Sequence, residues 1–143
     1  MQYNKLRLLS LFTLCNFAFS QIQDNQFNSN NIVIKSEAIE VERNSNTIFF
    51  NGGIHIKSGE FIIEAREAVF NKINRIISVY GDPSKISSTA KNNFFTGSAD
   101  KIIFSETDTI QLIGNATIYY DEINISSKEI ILNAKNGEVL SGN

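Results

Sequence analysis

From Ile32 onward, apolar residues alternate with other residues in short runs along most of the chain. The alternating pairs, in order, are Ile32/Ile34, Ile39/Val41, Ile48/Phe50, Ile54/Ile56, Phe61/Ile63, Ile102/Phe104, Ile110/Leu112, Ile123/Ile125 and Ile130/Leu132. A period of two is typical of β-strands, because successive side chains of a strand point to opposite faces. The segment Glu64 to Phe70 is the best helical candidate, and it also fits a strand better. The pattern predicts an all-β protein with almost no helix after its first twenty residues.

Residues that favour tight turns separate these runs. Gly52-Gly53, Gly114-Asn115 and Asn136-Gly137 tolerate positive φ angles, and we expect the first two pairs to close hairpins. The only proline, Pro83, follows Gly81-Asp82 near the middle of the chain. A proline has no amide to donate, so we expect it at a corner between two halves of the fold.

The alternating pattern itself repeats. Placing Gly52 on Gly114, an offset of 62 residues, also places Ile48 on Ile110 and Ile56 on Ile118. Two copies of one antiparallel meander are the simplest interpretation. Such copies stack because one copy alone cannot bury its apolar face.

The first twenty residues have a different character. Lys5 and Arg7 precede an apolar stretch from Leu8 to Phe19, and Ala18-Phe19-Ser20 offers small residues at a cleavage site. We interpret residues 1–20 as a secretory signal peptide, since the stretch is short for a membrane anchor, which is the alternative. The polar residues 21–31 are expected to be a flexible leader, and residues 32–143 one domain.

Composition narrows the possible functions. The net charge is −2, and without the signal eleven basic residues face fifteen acidic ones, which does not suit a nucleic-acid partner. The single cysteine, Cys15, lies in the predicted signal, so the mature chain has no internal disulfide or thiolate metal site. No later apolar run is long enough to form a membrane helix.

An ordered series of short motifs resembles the OstA-like family of lipopolysaccharide-transport proteins over nearly all of residues 32–143. The motifs are Ile32-Val33-Ile34-Lys35-Ser36, Gly52-Gly53-Ile54, Ala65-Arg66-Glu67-Ala68-Val69-Phe70, Gly81-Asp82-Pro83, Gly97-Ser98-Ala99-Asp100-Lys101-Ile102, Leu112-Ile113-Gly114-Asn115-Ala116 and Ser127-Lys128-Glu129-Ile130. The resemblance implies an open, twisted antiparallel β-jelly roll. It also implies a periplasmic bridge that carries lipopolysaccharide from the inner to the outer membrane by shielding its acyl chains in an apolar trough.

On this interpretation the inward residues of the alternation bind lipid. They are Ile32, Ile34, Phe50, Ile54, Ile56, Phe61, Ile63, Phe70, Ile86, Phe104, Leu112, Ile118, Ile125, Ile130 and Leu132. Lys72 is placed at the rim of the trough, while Lys57, Lys85 and Lys101 could meet lipid phosphates there but are better explained as ordinary solvated lysines.

Assembly is expected at the two edges of the sheet. The segment Ile32-Val33-Ile34 is assigned as one exposed edge, and the final hairpin, around Ile130-Ile131-Leu132 and Val139-Leu140, as the other. Unpaired edges invite strand addition, so we expect head-to-tail self-association and docking of related β-domains on inner- and outer-membrane proteins.

The residues give little support to an enzyme, a metal or a cofactor. His55 is the only histidine and stands between two inward isoleucines, so it should point outward without catalytic partners. The possible carboxylate pairs, Asp82 with Asp100 and Glu67 with Glu129, are better explained as solvated turn or edge residues. The alternative function is an exported structural or carbohydrate-binding β-domain. Its sugar platform would have to come from tyrosines, namely Tyr80, Tyr119 and Tyr120.

Overall fold

The structure is a computed structural model, which describes residues 25–29, 32–90, 94–105, 109–133 and 138–142. These residues form ten antiparallel strands and no helix, as the alternation predicts. The strands are β1 (Asn25–Ser29), β2 (Ile32–Ser36), β3 (Ala38–Glu42), β4 (Thr47–Ser58), β5 (Phe61–Asn71), β6 (Ile76–Ser88), β7 (Phe95–Ser105), β8 (Thr109–Tyr120), β9 (Ile123–Asn133) and β10 (Val139–Gly142).

All ten strands belong to one sheet in which neighbours in sequence are mostly neighbours in space. The order is β1-β2-β4-β5-β6-β7-β8-β9-β10, and β3 pairs with β4 beside β2. Since β2 pairs with the end of β4 and β3 with its beginning, β2 and β3 act as one strand interrupted at Glu37. The Glu37 amide donates to the Gly52 carbonyl at 3.0 Å across this interruption.

Every ladder from β4 to β9 is interrupted at the same level of the sheet. The register shifts lie between Asn51 and Ile54 in β4, Glu64 and Glu67 in β5, Tyr80 and Ser84 in β6, Ser98 and Lys101 in β7, and Ile113 and Ala116 in β8. A β-bulge bends its strand, and bulges aligned across a sheet bend the whole sheet along one line. We call this row the fold line.

The fold line divides the sheet into two halves. The upper half contains β3, β10 and residues 47–51, 67–71, 76–80, 101–105, 109–113 and 129–133. The lower half contains β1, β2 and residues 54–58, 61–64, 84–88, 95–98, 116–120 and 123–127. Their apolar faces meet in a single core, in which Phe50 of the upper half and Ile56 of the lower half are fully buried. This is the open, folded sheet of a β-jelly roll, as expected.

The bulges also reset the alternation. In β4 the buried residues keep one parity, with Ile48 above and Ile54 below the fold line. In β6 the parity changes, because Ile77 and Val79 are buried above the line and Ile86 is buried below it. A period of two therefore holds within each half of a strand but not across the fold line.

The predicted repeat is confirmed strand by strand. At an offset of 62 residues β4 falls on β8 and β5 on β9, each with matching bounds. The combined strand β2 and β3 corresponds to β7 at an offset of 63, because Ile32 pairs with Ser58 as Phe95 pairs with Tyr120. By the same register β10 corresponds to the first part of β6.

Two predicted hairpin turns are instead bulges inside long strands. Gly52 and Gly53, with φ of 77° and 58°, lie within β4, and Gly114 and Asn115, with φ of 78° and 46°, lie within β8. Residues in the left-handed conformation occur both in β-bulges and in hairpin turns. The sequence alone therefore does not show whether such a pair forms a bulge or a turn.

Pro83 also lies within a strand rather than in a turn, because the first repeat passes to the second inside β6. It lies in the interruption of β6 between Tyr80 and Ser84, where no residue of β5 or β7 pairs with it in the sheet. An interruption of this kind tolerates a residue without an amide donor as well as a turn does.

The predicted edge at Ile32–Ile34 is wrong, because a further strand covers it. Residues 25–29, expected in a flexible leader, form β1 and pair with β2, so Ile32–Ile34 lies between β1 and β4. The other predicted edge is the final hairpin, in which residues 130–132 lie between β8 and β10, and Val139 and Leu140 belong to the outer strand β10. Strand β1 shows no clear alternating pattern, which is why the sequence did not reveal it. The predicted signal peptide, residues 1–20, lies outside the described residues.

We expect Gly114→Ala to lower the free energy of unfolding by about 2 kcal/mol or more. A left-handed φ costs a non-glycine residue about 1–2 kcal/mol, and an added Cβ would also displace the Asp100 carboxylate, which now accepts a hydrogen bond from Asn115 at 2.9 Å.

The matched control is Gly59→Ala, which has a φ of 56° but no atom within 4 Å of the added carbon. It should lose only the backbone contribution of about 1–2 kcal/mol. Urea unfolding measures both variants, and equal losses would show that Asp100 packing adds nothing at the fold line.

Candidate functional site

The interior between the two halves is the main candidate site, and the inward residues predicted from the sequence line it. All of them are buried except Phe61 and Ile125, which are partly buried and pack against the same core. Residues that alternate with them, such as Val33, His55 and Tyr119, are less buried. The structure therefore supports the orientation, while contact of these residues with lipid stays a prediction.

The sequence argument missed several residues of this interior. They are Ile48, Ile77, Val79, Phe95, Ala99, Ile102, Ile110 and Ala116. Ile48, Ile102 and Ile110 follow the same alternation and could have been included. Ala99 and Ala116 gave no signal because small residues occur on either face of a strand. Ile77 and Val79 precede the change of parity in β6.

A small cavity remains where the two halves meet near β9 and β10. Its volume is about 40 Å³, enough for no more than a few water molecules. Phe61, Phe95 and Ile118 line it from the lower half, and Leu132 and Val139 from the upper half. The rings of Phe61 and Phe95 lie 5.9 Å apart between centroids. The interior is thus closely packed, and a long apolar ligand fits only if the halves separate.

At the β3 end, the apolar face of the interior continues onto the surface. Val41 is 53% exposed although it faces inward, while its repeat equivalent Phe104 is 6% exposed. Ile39 is partly buried, while its equivalent Ile102 is fully buried. The difference arises because Phe104 and Ile102 have further strands beside them and the β3 residues do not.

At the opposite end, the same continuation occurs in the lower half of β9. Ile123 is 59% exposed, while its repeat equivalent Phe61 is partly buried. Ile125 is partly buried, while its equivalent Ile63 is 1% exposed. Strand β10 pairs only with residues 129–132, so this part of β9 has no neighbour on its outer side within the described chain. The interior therefore ends in two uncovered apolar surfaces.

The lysines do not gather at one opening. Lys72 is exposed in the turn between β5 and β6, where its amide donates to the Asn46 carbonyl at 2.9 Å. Lys101 places its ammonium 5.3 Å from the centre of the Tyr80 ring, while Lys57 and Lys85 are exposed on the lower half. A rim role for Lys72 stays a prediction.

The carboxylates considered as pairs in the sequence do not form pairs. Asp82 accepts from Arg66 at 2.7 Å, and Glu67 contacts the same guanidinium at 3.2 Å. Asp100 instead accepts from Asn115. These side chains are exposed, so such ion pairs contribute little stability. Among the described residues, no three acidic, histidine or cysteine side chains converge on a metal-sized site, and no helix is suited to span a membrane.

Comparison with known proteins gives this architecture a family. Residues 33–138 match the family described as LptA/(LptD N-terminal domain) LPS transport protein. The chain belongs to this family. A search of curated proteins finds no significant match.

A solved structure agrees in fold. It is LptH, described as the LptA homologous periplasmic component of the conserved lipopolysaccharide transport device from Pseudomonas aeruginosa. The TM-score is 0.70 at 13% identity, and the match covers 78% of this chain and 82% of that chain. The likeness extends over most of both chains, so the folded sheet is common to the two proteins.

We expect Ile63→Ala to lower the free energy of unfolding by about 2–4 kcal/mol, as is usual for a buried isoleucine. Ile125→Ala, its repeat equivalent, should cost about 1 kcal/mol or less because its side chain is already partly in water. Urea unfolding of the dilute monomer measures both. A loss at Ile125 as large as that at Ile63 would contradict the uncovered lower half of β9.

Proposed function

We propose that this protein carries lipopolysaccharide across the periplasm, holding its acyl chains in the interior between the two halves of the sheet. The observation that carries the proposal is an apolar interior that reaches both ends of the sheet, in a chain of the LPS transport family. No catalytic step is required for this role, since the protein only has to offer an apolar path.

The physical need for such a path is large. Each methylene that leaves apolar surroundings for water costs about 0.8 kcal/mol, so an unshielded acyl chain crosses an aqueous space very rarely. An open sheet folded along one line admits a chain by separating its halves, which a closed barrel with continuous ladders does not allow. When no lipid is bound, close packing of the apolar side chains between the two halves limits their exposure to water.

We propose that copies of the chain associate head to tail, and the internal repeat supplies a template for the contact. In β6, the first part pairs with β5 and β7 above the fold line, and the second part pairs with them below it. Strand β10 takes the place of the first part, because Leu132 pairs with Val139 as Phe70 pairs with Ile77.

Strand β1 takes the place of the second part of β6. Val33 pairs with Asn28 in the same way as its equivalent Thr96 pairs with Ser87. Strand β10 of one copy and β1 of the next therefore complete one β6-like strand across the junction. That arrangement covers the exposed lower half of β9 in one copy and the exposed β3 of the next. Since the two ends differ, the contact is heterologous and extends into a chain.

The same two ends are proposed to dock related β-domains of inner- and outer-membrane proteins. Strands β1 and β3 form one docking edge, and β10 with residues 123–127 forms the other. The first of these edges replaces the segment Ile32–Ile34 expected from the sequence. Export by a signal peptide in residues 1–20 remains the proposed route to the periplasm.

A carbohydrate-binding domain is the second candidate, and one groove favours it. The outer side of the lower half forms a groove lined by Ser87, Thr96, Tyr119 and Asn124, together with His55. Hydroxyl and amide groups beside an exposed ring are suited to sugars. Retention of a soluble glycan, without binding of a lipid A analogue, would favour this function.

A photo-reactive residue at Phe104 or Ile34 should crosslink to lipopolysaccharide in cells that make it, because both side chains face the interior. Matched photo-reactive residues at His55 and Tyr119 on the outer side should crosslink much less. Equal yields from both faces would exclude the interior as the lipid path.

A cysteine pair at Asn28 and Asn124 should form a disulfide between copies. In the junction, Asn28 of one copy lies opposite Asn124 of the other, as Ser87 lies opposite Ile62 in the internal junction. The control pair Asn28 and Ile123 is one residue out of register, and cysteines on opposite faces are poorly placed to bond. Non-reducing gel electrophoresis of residues 21–143, without the predicted signal peptide, measures dimers and longer ladders. Comparable bonding of both pairs would contradict the proposed register.

A further inference from the structure

Three serines are buried in the otherwise apolar interior, and two of them have hydrogen-bond partners. The Ser36 hydroxyl donates to the Ala38 carbonyl at 3.2 Å. The Ser88 hydroxyl accepts from the Ala90 amide at 3.2 Å. Both partners are backbone groups close in sequence, so these two serines complete the ends of their own strands.

Ser84 differs from the other two. Its side chain is fully buried, and its hydroxyl has no hydrogen-bond partner among the described residues. Buried hydroxyls are nearly always hydrogen-bonded within the protein, because burial removes the water molecules that would otherwise bond them. A buried hydroxyl without a partner therefore requires an explanation. The cavity near β9 and β10 does not explain it, since Ser88 lines that cavity and Ser84 does not.

The position of Ser84 points to the contents of the interior. It lies on the buried face of β6 with Ile86, directly below the fold line and opposite Ala99 of β7. Ser88 is four residues further along the same face, so Ser84 is about 13 Å deeper than the cavity. A molecule that separates the two halves and enters beyond the cavity therefore meets an apolar wall with one free hydroxyl.

We propose that Ser84 is the point at which the interior recognises a hydroxyl group carried on an acyl chain. The inference rests on the proposed function, and it adds a preference for hydroxylated over plain hydrocarbon chains. A hydroxyl of the ligand and the Ser84 hydroxyl form one hydrogen bond in which either can be the donor, so each of two buried hydroxyls gains a partner. A plain chain leaves Ser84 unsatisfied and gains only its apolar burial.

The test uses residues 21–143, without the predicted signal peptide, and displacement of a fluorescent fatty acid. The competitors are tetradecanoate and octadecanoate, each compared with isomers hydroxylated near the carboxylate and near the middle of the chain. The wild type should bind at least one hydroxylated isomer roughly five- to tenfold more tightly than its parent, as one net hydrogen bond allows. Ser84→Ala should bind the two with equal affinity.

Ser36→Ala is the matched control, because it removes a buried hydroxyl that already has a partner. It should keep the preference and melt at a lower temperature, while Ser84→Ala should melt no lower than the wild type. A preference that survives in Ser84→Ala, or no preference in the wild type, would overturn the role of Ser84 and leave the proposed function standing. If the wild type binds none of the acyl chains, the proposed function falls as well.

Discussion

The alignment of ladder interruptions along one line is the constraint on which the rest of this structure depends. The long strands have 11 to 13 residues, and each presents one apolar face. A flat sheet of this kind would leave that whole face in water. The free-energy cost of this exposure is about 25 cal/mol per Å² of apolar area. Bending every strand at the same level brings the face of the upper half against the face of the lower half, so a single sheet makes its own core.

The chemistry along the fold line follows from this bend. Where ladder pairing stops, left-handed residues such as Gly52 and Gly114 take up the curvature, and polar side chains lie beside them. Asp100 accepts from Asn115 next to Gly114, and Arg66 joins Asp82 across the neighbouring interruption of β5 and β6. Arg66, Asp82 and Asp100, three charged residues of the family motifs, thus lie exposed beside the bend.

The internal join between the two repeats relates the interior to assembly. Strand β6 spans the fold line and connects the copies, and β10 and β1 resemble its two parts at the ends of the chain. The uncovered inward residues, among them Val41 and Ile123, lie where the next copy would supply a neighbour. On the proposed function, a path for acyl chains and a path for polymer growth would use the same exposed surfaces. Ser84 would then add an unpartnered hydroxyl to this path.

The sequence by itself determined the all-β class, the two repeats and most of the inward residues, because the alternation of a strand is a local property of the chain. It did not determine which glycine pairs bend a strand and which end it, since both need the same left-handed conformation. The tertiary structure decided the parity change in β6, the placement of Pro83 within that strand, and the pairing of β1 outside β2. These features depend on which strands pair, and pairing joins residues that are far apart in sequence.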